Sequence, residues 1–148
     1  MKNEFIPYEQ SLALKELGFG EKCFGYYYHP AYSKQTILID SVLDPNHTYF
    51  NEFPEKGDFP IIGNYNKQFI SAPLYQQAFR WFREKYNLYI SLNKYKSPDI
   101  VIPILVYSHI YDENDNICIT VGEFKTYEEA ELECLKKLIE ICQKKDSI

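Results

Sequence analysis

Hydrophobic side chains recur every three or four residues in the central segment "SAPLYQQAFRWFREKYN", which predicts an amphipathic helix. Pro73 stands at its first turn, where the missing amide proton is harmless, and Asn87 marks its end. The aromatic side of this helix predicts a core seam. The opposite side is polar and carries Gln76, Arg80 and Arg83 at positions i, i+4 and i+7.

End signals predict a first and a last helix. Pro7 opens the segment before "YEQSLALKELGF", and Gly18 supplies the left-handed residue with which helices commonly end. In "TYEEAELECLKKLIEIC" the pair Thr126 and Glu129 matches the capping box, in which a hydroxyl and a carboxylate bind the free amides of the first turn. The apolar arc of this last helix is broad, so we expect it to pack flat against a sheet or another helix.

Alternating side chains predict an early strand in "KCFGYYYH". The alternation places Tyr26 and Tyr28 on one face, which we expect in the core, and Tyr27 on the other face, which we expect outside. Beyond Pro30 the segment "QTILIDSVL" predicts a second strand. Together the two strands predict a hairpin.

Three further strands are predicted in "LYISL" and in "IVIPILVYSHIYDENDNICITVGEF", the last two about a polar turn at Asp112 to Asn116. This turn lacks the glycine and the later glutamate of a calcium loop, which favours a solvated hairpin turn over a cation site. The element order is αββ, a loop, then αβββα. We therefore expect a single α+β domain over residues 1–148, with an antiparallel sheet covered by helices.

The segment from Leu43 to Ser71 shows no sustained period but is rich in aromatic side chains, among them Tyr49, Phe50 and Phe53. A loop of this length is uncommon inside a compact domain unless it is functional or disordered. Its aromatic content indicates an ordered covering loop, with room for a short strand, and not a flexible linker.

Composition limits the classes of function. The chain has 148 residues, 17% of them aromatic, and a formal net charge of −5. A net acidic protein gains little from counterion release, so general nucleic-acid binding is not expected. Neither a membrane span nor a signal peptide is recognisable in the sequence, and we expect a cytoplasmic protein.

Cysteine and histidine patterns predict neither a metal site nor a cofactor. The four cysteines show no CxxC spacing and the three histidines are far apart. We expect Cys118, Cys134 and Cys142 to be small buried hydrophobic residues. Because no motif for a nucleophile, a phosphate loop or a metalloprotease is present either, we expect that the protein is not an enzyme.

Four blocks, "PYEQSLALKELGF", "CFGYYY", "APLYQQAFRWFREKY" and "TYEEAELECLKKLIEI", resemble an uncharacterised family of small proteins of phages, prophages and mobile elements of the Bacteroidota. The resemblance covers about half of the chain and carries over no catalytic residues. It implies a phage or mobile-element accessory protein acting in the host cell. Many such proteins inhibit host defence, either by blocking a protein or by sequestering a signalling nucleotide.

A candidate ligand site combines Tyr27 with Gln76, Arg80 and Arg83. Two arginines can hold a phosphate bidentately and a tyrosine ring can stack on a base, so the set suits a small nucleotide-derived ligand. In the alternative interpretation the two arginines only solubilise the outer side of the helix. The leading functional hypothesis is thus a non-catalytic, anti-defence protein that sequesters such a ligand.

The alternative function is inhibition of a host defence or replication protein through a protein–protein interface. Tyrosine is enriched at interfaces, and the early strand and the long loop supply many aromatic rings. The same surface would suit a homodimer, since two-fold closure is the commonest assembly of soluble proteins. The predicted interface residues are Tyr27, Tyr28, Tyr49, Phe50 and Phe53.

Overall fold

The computed structural model describes residues 4–21, 23–28, 37–40, 69–95 and 105–147. Contacts divide the chain into two compact units, Met1–Leu74 and Tyr75–Ile148. Among the described residues, each unit combines helix with a three-stranded antiparallel sheet. The predicted α+β class is therefore confirmed, although the strands form two sheets where one was expected. A single domain over 1–148 stays a prediction.

In its described residues, the first unit contains one helix and three short strands. These are α1 (Tyr8–Glu16), β1 (Gly25–Tyr28), β2 (Ile37–Asp40) and β3 (Phe69–Ala72). The hairpin of β1 and β2 is confirmed, and β1 is the middle strand of the order β2-β1-β3. Strand β3 pairs with the second edge of β1 and includes the last residues of the loop predicted from Leu43 to Ser71. The end of the predicted loop is therefore a strand.

Tyr27 lies in the core of the first unit, so the prediction that it faces outwards is wrong. Its side chain is only 8% exposed. The ring packs edge-on against Tyr8, with 5.6 Å between centroids. The hydroxyl donates to the carbonyl oxygen of Ile6 at 2.7 Å, so the polar tip is satisfied inside the unit. Phe5, Ile70 and Ala72 complete this cluster of buried residues.

Helix α1 ends as its sequence predicts. Gly18 adopts a left-handed φ of 86°, and its amide donates to the carbonyl of Lys15 at 3.0 Å. The next amide, that of Phe19, donates to the carbonyl of Leu14 at 2.9 Å. These bonds satisfy carbonyls of the last turn, which is the physical reason for glycine at this position.

Residues 75–95 and 105–147 of the second unit form two helices and a sheet of longer strands. Its elements are α2 (Tyr75–Tyr86), β4 (Leu88–Tyr95), β5 (Leu105–Asp112), β6 (Ile117–Phe124) and α3 (Tyr127–Asp146). The strand order is β4-β5-β6, with antiparallel pairs throughout. Helix α3 packs against all three strands, and α2 packs against β4 and α3. Both predicted helices and the hairpin turn are confirmed.

The core of the second unit follows the predicted apolar arcs. In α2 the buried residues are Tyr75, Ala78, Trp81 and Phe82. In α3 they are Ala130, Cys134, Leu135, Leu138, Ile139 and Cys142. The hydroxyl half of the predicted capping box at the start of α3 is confirmed, since the amide of Glu129 donates to the Thr126 hydroxyl at 3.1 Å. The carboxylate of Glu129 accepts from the amide of Lys125.

Candidate functional site

One face of the β4-β5-β6 sheet carries a set of aromatic rings. In β5, the side chains of Val106, Ser108, Ile110 and Asp112 are buried, on the side where α3 packs. Side chains alternate along a strand, so the residues between them point to the opposite side. The register of β4 adds its own aromatic residues to that side. We call this surface the tyrosine face, formed by Tyr89, Tyr95, Tyr107, His109 and Tyr111.

Cross-strand pairing sets the arrangement of the tyrosine face. Tyr89 lies directly opposite Tyr111, and Asn93 lies opposite Tyr107. The rings of Tyr95 and Tyr107 meet edge to face, with centroids 6.2 Å apart. Tyr95 is 58% exposed and Tyr111 is 43% exposed. Large aromatic surface of this kind, left in contact with water, is typical of a recognition surface.

Polar groups lie between these rings. His109 Nδ1 lies 3.3 Å from the hydroxyl of Thr120 on β6, and the amide of Asn93 donates to the hydroxyl of Ser91 at 2.8 Å. Aromatic rings with hydroxyl and amide neighbours can stack on a planar group and bind its polar edge.

A half-open cleft of about 530 Å³ lies at the turn end of the tyrosine face. We call it the turn cleft; its lining residues are Tyr89, Tyr111, Asp112, Glu113, Asn116, Ile117 and Cys118. Among the described residues of this lining, both charged side chains are carboxylates. The volume lies within the range of roughly 300–1,000 Å³ that is usual for small-molecule sites.

Asparagine side chains fix the turn that borders the cleft. Asn114 donates to the carbonyl of Tyr86 at 2.8 Å and accepts from the side chain of Asn87 at 3.0 Å. The amide of Glu113 donates to the carbonyl of Asn87 at 3.2 Å. The turn is therefore bonded to the junction of α2 and β4. Asn87 and Asn116 take left-handed φ values of 54° and 52°, which asparagine tolerates well.

Asp112 is a buried carboxylate at the base of the cleft. Lys145 of α3 donates to it at 2.5 Å, and the amide of Asn114 donates to it at 3.1 Å. Burial acts to raise the pKa of Asp112, but the bond and charge of Lys145 and the amides of Asn114 and Asp115 outweigh it, so its pKa lies below the usual value. The pKa of Lys145 is raised, chiefly by the hydrogen bond to Asp112. The pair is ionised at neutral pH.

The structure places the predicted ligand residues in two different surroundings. Gln76, Arg80 and Arg83 are exposed along one side of α2, as predicted. Tyr27 belongs to the first unit and is buried there. Its ring is not available for stacking on a ligand while this packing is kept.

The predicted interface residues are only partly described. Tyr27 cannot contribute to an interface from its buried position. Tyr28 forms the end of β1, but its side chain is outside the described part of the chain. Tyr49, Phe50 and Phe53 also lie outside the described residues.

The cysteines differ from the prediction at one position. Cys118 is exposed, because its register opposite Tyr111 puts it on the tyrosine face and not in the core. Cys134 and Cys142 are buried as expected, and Cys23 is buried too. Burial raises the pKa of Cys23 to about 12, that of Cys134 to about 11 and that of Cys142 to about 12, so these thiols are protonated at neutral pH. Within the described ranges, no group of three or more histidine, cysteine or acidic side chains could hold a metal ion.

Comparison with known proteins gives no match: no family model, no curated protein and no solved structure is similar to this chain. None of the helices in the described part of the chain combines the length and apolar character needed to cross a membrane.

The residues of the tyrosine face form a regular pattern in the sequence, but this pattern alone does not identify the face as exposed. "LVYSHIYD" carries a ring at every second position from Tyr107 to Tyr111, and "LYISLNKY" carries Tyr89 and Tyr95 an even number of positions apart, so each strand has its rings on one face. Period-two alternation shows that these residues share faces, but it does not show which face is covered by helices. That assignment needed the packing of α3.

Proposed function

We propose that this protein is a non-catalytic binding protein that recognises a protein partner through the tyrosine face. The observation that supports the proposal is the row of tyrosines on the side of the sheet away from α3, of which Tyr95 and Tyr111 are exposed and Tyr89 and Tyr107 are half-buried. Tyrosine rings with polar tips are favoured at protein interfaces because they bury large area at small entropic cost. This proposal keeps the hypothesis of a protein–protein interface, but it places the interface on the β4-β5-β6 sheet instead of on the early strand.

The class of partner follows from charge. The chain carries a net charge of −5, and the turn cleft at the end of the face is lined by two carboxylates. Opposite charges steer association and suppress wrong partners. We therefore propose a partner with a basic contact surface. The resemblance to phage and mobile-element proteins suggests that this partner is a host defence or replication protein and that the protein acts in the host cytoplasm.

A comparison of matched variants tests the proposal. The double variant Tyr95→Ser with Tyr107→Ser removes two rings from the tyrosine face. The control Tyr127→Ser removes a tyrosine that is 43% exposed at the start of α3. Full-length tagged proteins of all three kinds are used to capture partners from host lysate, and the captured protein is then purified and its affinity measured by calorimetry.

The expected result is a single host protein that binds the original chain and Tyr127→Ser alike, and binds the double variant at least tenfold more weakly. Circular dichroism and thermal melting show whether the double variant is folded. Equal binding by the folded double variant would refute the proposal.

The nucleotide hypothesis is a second candidate, supported by the exposed row of Gln76, Arg80 and Arg83 on α2. Without Tyr27 the row can hold phosphates but has lost its proposed stacking ring. Calorimetry against cyclic dinucleotides and ADP-ribose derivatives tests this candidate. Binding that is weakened by Arg83→Ala and Arg80→Ala would support it, and absence of binding to the whole panel would reject it.

We also propose that the protein is a homodimer, as its aromatic content suggests. Light scattering across a dilution series decides the mass directly. A value near the 17.6 kDa of one chain at every concentration would reject the dimer.

A further inference from the structure

We propose that the turn cleft binds a cationic side chain of the partner, an arginine guanidinium or a lysine ammonium. This inference rests on the proposed function, since it names the group through which the basic partner is recognised. It goes beyond that function by assigning a binding site to specific residues at one end of the tyrosine face.

The walls of the cleft have the chemistry that a cation requires. Tyr89 and Tyr111 are directly opposite each other on β4 and β5, so their side chains stand next to each other on the tyrosine face. The faces of aromatic rings are negative and attract ammonium and guanidinium groups. A flat guanidinium also stacks on a tyrosine ring. Ile117 and Cys118 add apolar lining, against which the aliphatic stem of the side chain can pack.

The charges around the cleft favour a cation over a phosphate. Asp112 is balanced by Lys145, and Lys145 also lies 3.3 Å from the carboxylate of Asp115. Glu113 is exposed and lines the cleft. The carboxylates of Asp112 and Asp115 therefore share one ammonium group, and Glu113 adds a third negative charge, which leaves the rim negative. A bound cation would be attracted mainly by Glu113, because Asp112 already has its partner.

The backbone of the turn at Glu113 is held by hydrogen bonds before any ligand arrives. Its amide donates to the carbonyl of Asn87, and the neighbouring Asn114 is bonded to Tyr86 and to Asn87. A turn held by such bonds loses little conformational entropy on binding. The cleft is thus prepared to receive a side chain without rearrangement of its backbone.

The direct experiment is a titration of the full-length ¹⁵N-labelled protein with N-acetyl-arginine amide, followed by NMR. The control ligand is N-acetyl-citrulline amide, which has nearly the same shape but no charge. We expect saturable shifts at the amides of Tyr111, Glu113 and Cys118, with a dissociation constant of about 1–10 mM, as suits a site at which two rings, the charge of Glu113 and packing of the aliphatic stem act together. The citrulline compound is expected to bind at least fivefold more weakly.

Two charge-removing variants locate the site. Glu113→Gln is expected to weaken binding of the arginine amide by about threefold to tenfold, an effect that decreases at high salt. Glu123→Gln is the matched control, since Glu123 is an exposed carboxylate of the same sheet that does not line the cleft. It should leave the affinity unchanged. Equal binding of the citrulline compound, or equal affinity in Glu113→Gln, would overturn the inference.

Failure of this inference is distinguishable from failure of the proposed function. If the captured partner depends on Tyr95 and Tyr107 but binds Glu113→Gln normally, the tyrosine face is an interface and the cation site is wrong. If the arginine amide binds with the expected dependence on Glu113 while no partner depends on Tyr95 and Tyr107, the cleft is a cation site and the proposed function is wrong.

Discussion

Lys145, in the last turn of α3, donates to the buried carboxylate of Asp112, the last residue of β5, at 2.5 Å. These residues are 33 positions apart in sequence. Asp112 is 4% exposed, whereas the side chain of Lys145 is 34% exposed. The bond joins the end of the helix to the turn that borders the cleft, and we expect it to hold this corner of the second unit together.

Removal of this carboxylate should destabilise the protein. Asp112→Ala leaves the amide of Asn114 without this acceptor and leaves Lys145 with the longer pair to Asp115, at a cost of about 2 kcal/mol in the free energy of unfolding. The measurement is urea denaturation followed by circular dichroism. As a control, Glu133→Gln breaks the exposed pair with Lys136 and should change stability by less than about 0.5 kcal/mol.

The stability contributed by Asp112 should be lost in acid. Its pKa is lower in the folded protein than in the unfolded chain, so the unfolded state binds the proton more readily. The contribution is complete above the ordinary aspartate pKa of about 3.9 and disappears as the pH falls through the lower, folded value. Unfolding curves from pH 6 to pH 2 should therefore converge for the original protein and Asp112→Asn. A constant difference across this range would contradict the assignment.

Removal of the Glu131 carboxylate should stabilise the protein, which is opposite to the effect expected for Asp112. Burial, followed by the charge of Glu128, raises its pKa in the folded protein, so the ionised form is unfavourable there. Glu131→Gln is expected to stabilise the protein at pH 7 by less than about 1 kcal/mol, because solvent screens this partly exposed site. The gain should vanish as the pH falls below the ordinary glutamate pKa. Destabilisation by Glu131→Gln at pH 7 would show that the carboxylate has a stabilising partner.

The contribution of the Tyr27 hydroxyl to the free energy of unfolding should be measurable in a double-mutant cycle with Ser11. The carbonyl of Ile6 accepts from Tyr27 at 2.7 Å and from Ser11 at 3.1 Å. Tyr27→Phe should cost about 1 kcal/mol, because the carbonyl keeps the other donor. Combined with Ser11→Ala it should cost more than the two single changes added together, since the buried acceptor is then unsatisfied. Additive unfolding energies would refute this shared-acceptor account.

The left-handed conformation of Asn87 predicts an order of stabilities. Asn87→Gly keeps the φ of 54° without strain and loses only the bond to Asn114. Asn87→Ala loses the bond and adds about 1–2 kcal/mol of backbone strain. Alanine should therefore be the less stable variant in thermal unfolding. Asn93→Ala, on the exposed part of β4, should change stability by less than about 0.5 kcal/mol.

The sequence alone determined the local elements of this protein. Pro7 marked the start of α1 and Gly18 marked its end. The pair Thr126 and Glu129 located the start of α3. The 3.6-residue period separated the buried side of α2 from its exposed side. These features depend on bonds and contacts within a few residues of each other, which a local pattern records. The exposed positions of Gln76, Arg80 and Arg83 were predictable for the same reason.

Only the tertiary structure decided which faces of the sheets are buried. Alternation in "KCFGYYYH" and "ICITV" shows which side chains share a face, but either face satisfies a period of two. Tyr27 is inside because the segment before α1 supplies Phe5 and Ile6 and strand β3 supplies Ile70 to its cluster. Cys118 is outside because α3 covers the opposite side of the sheet. The tyrosine face, the turn cleft and the bond between Asp112 and Lys145 depend on contacts between residues distant in sequence, and no local pattern encodes these contacts.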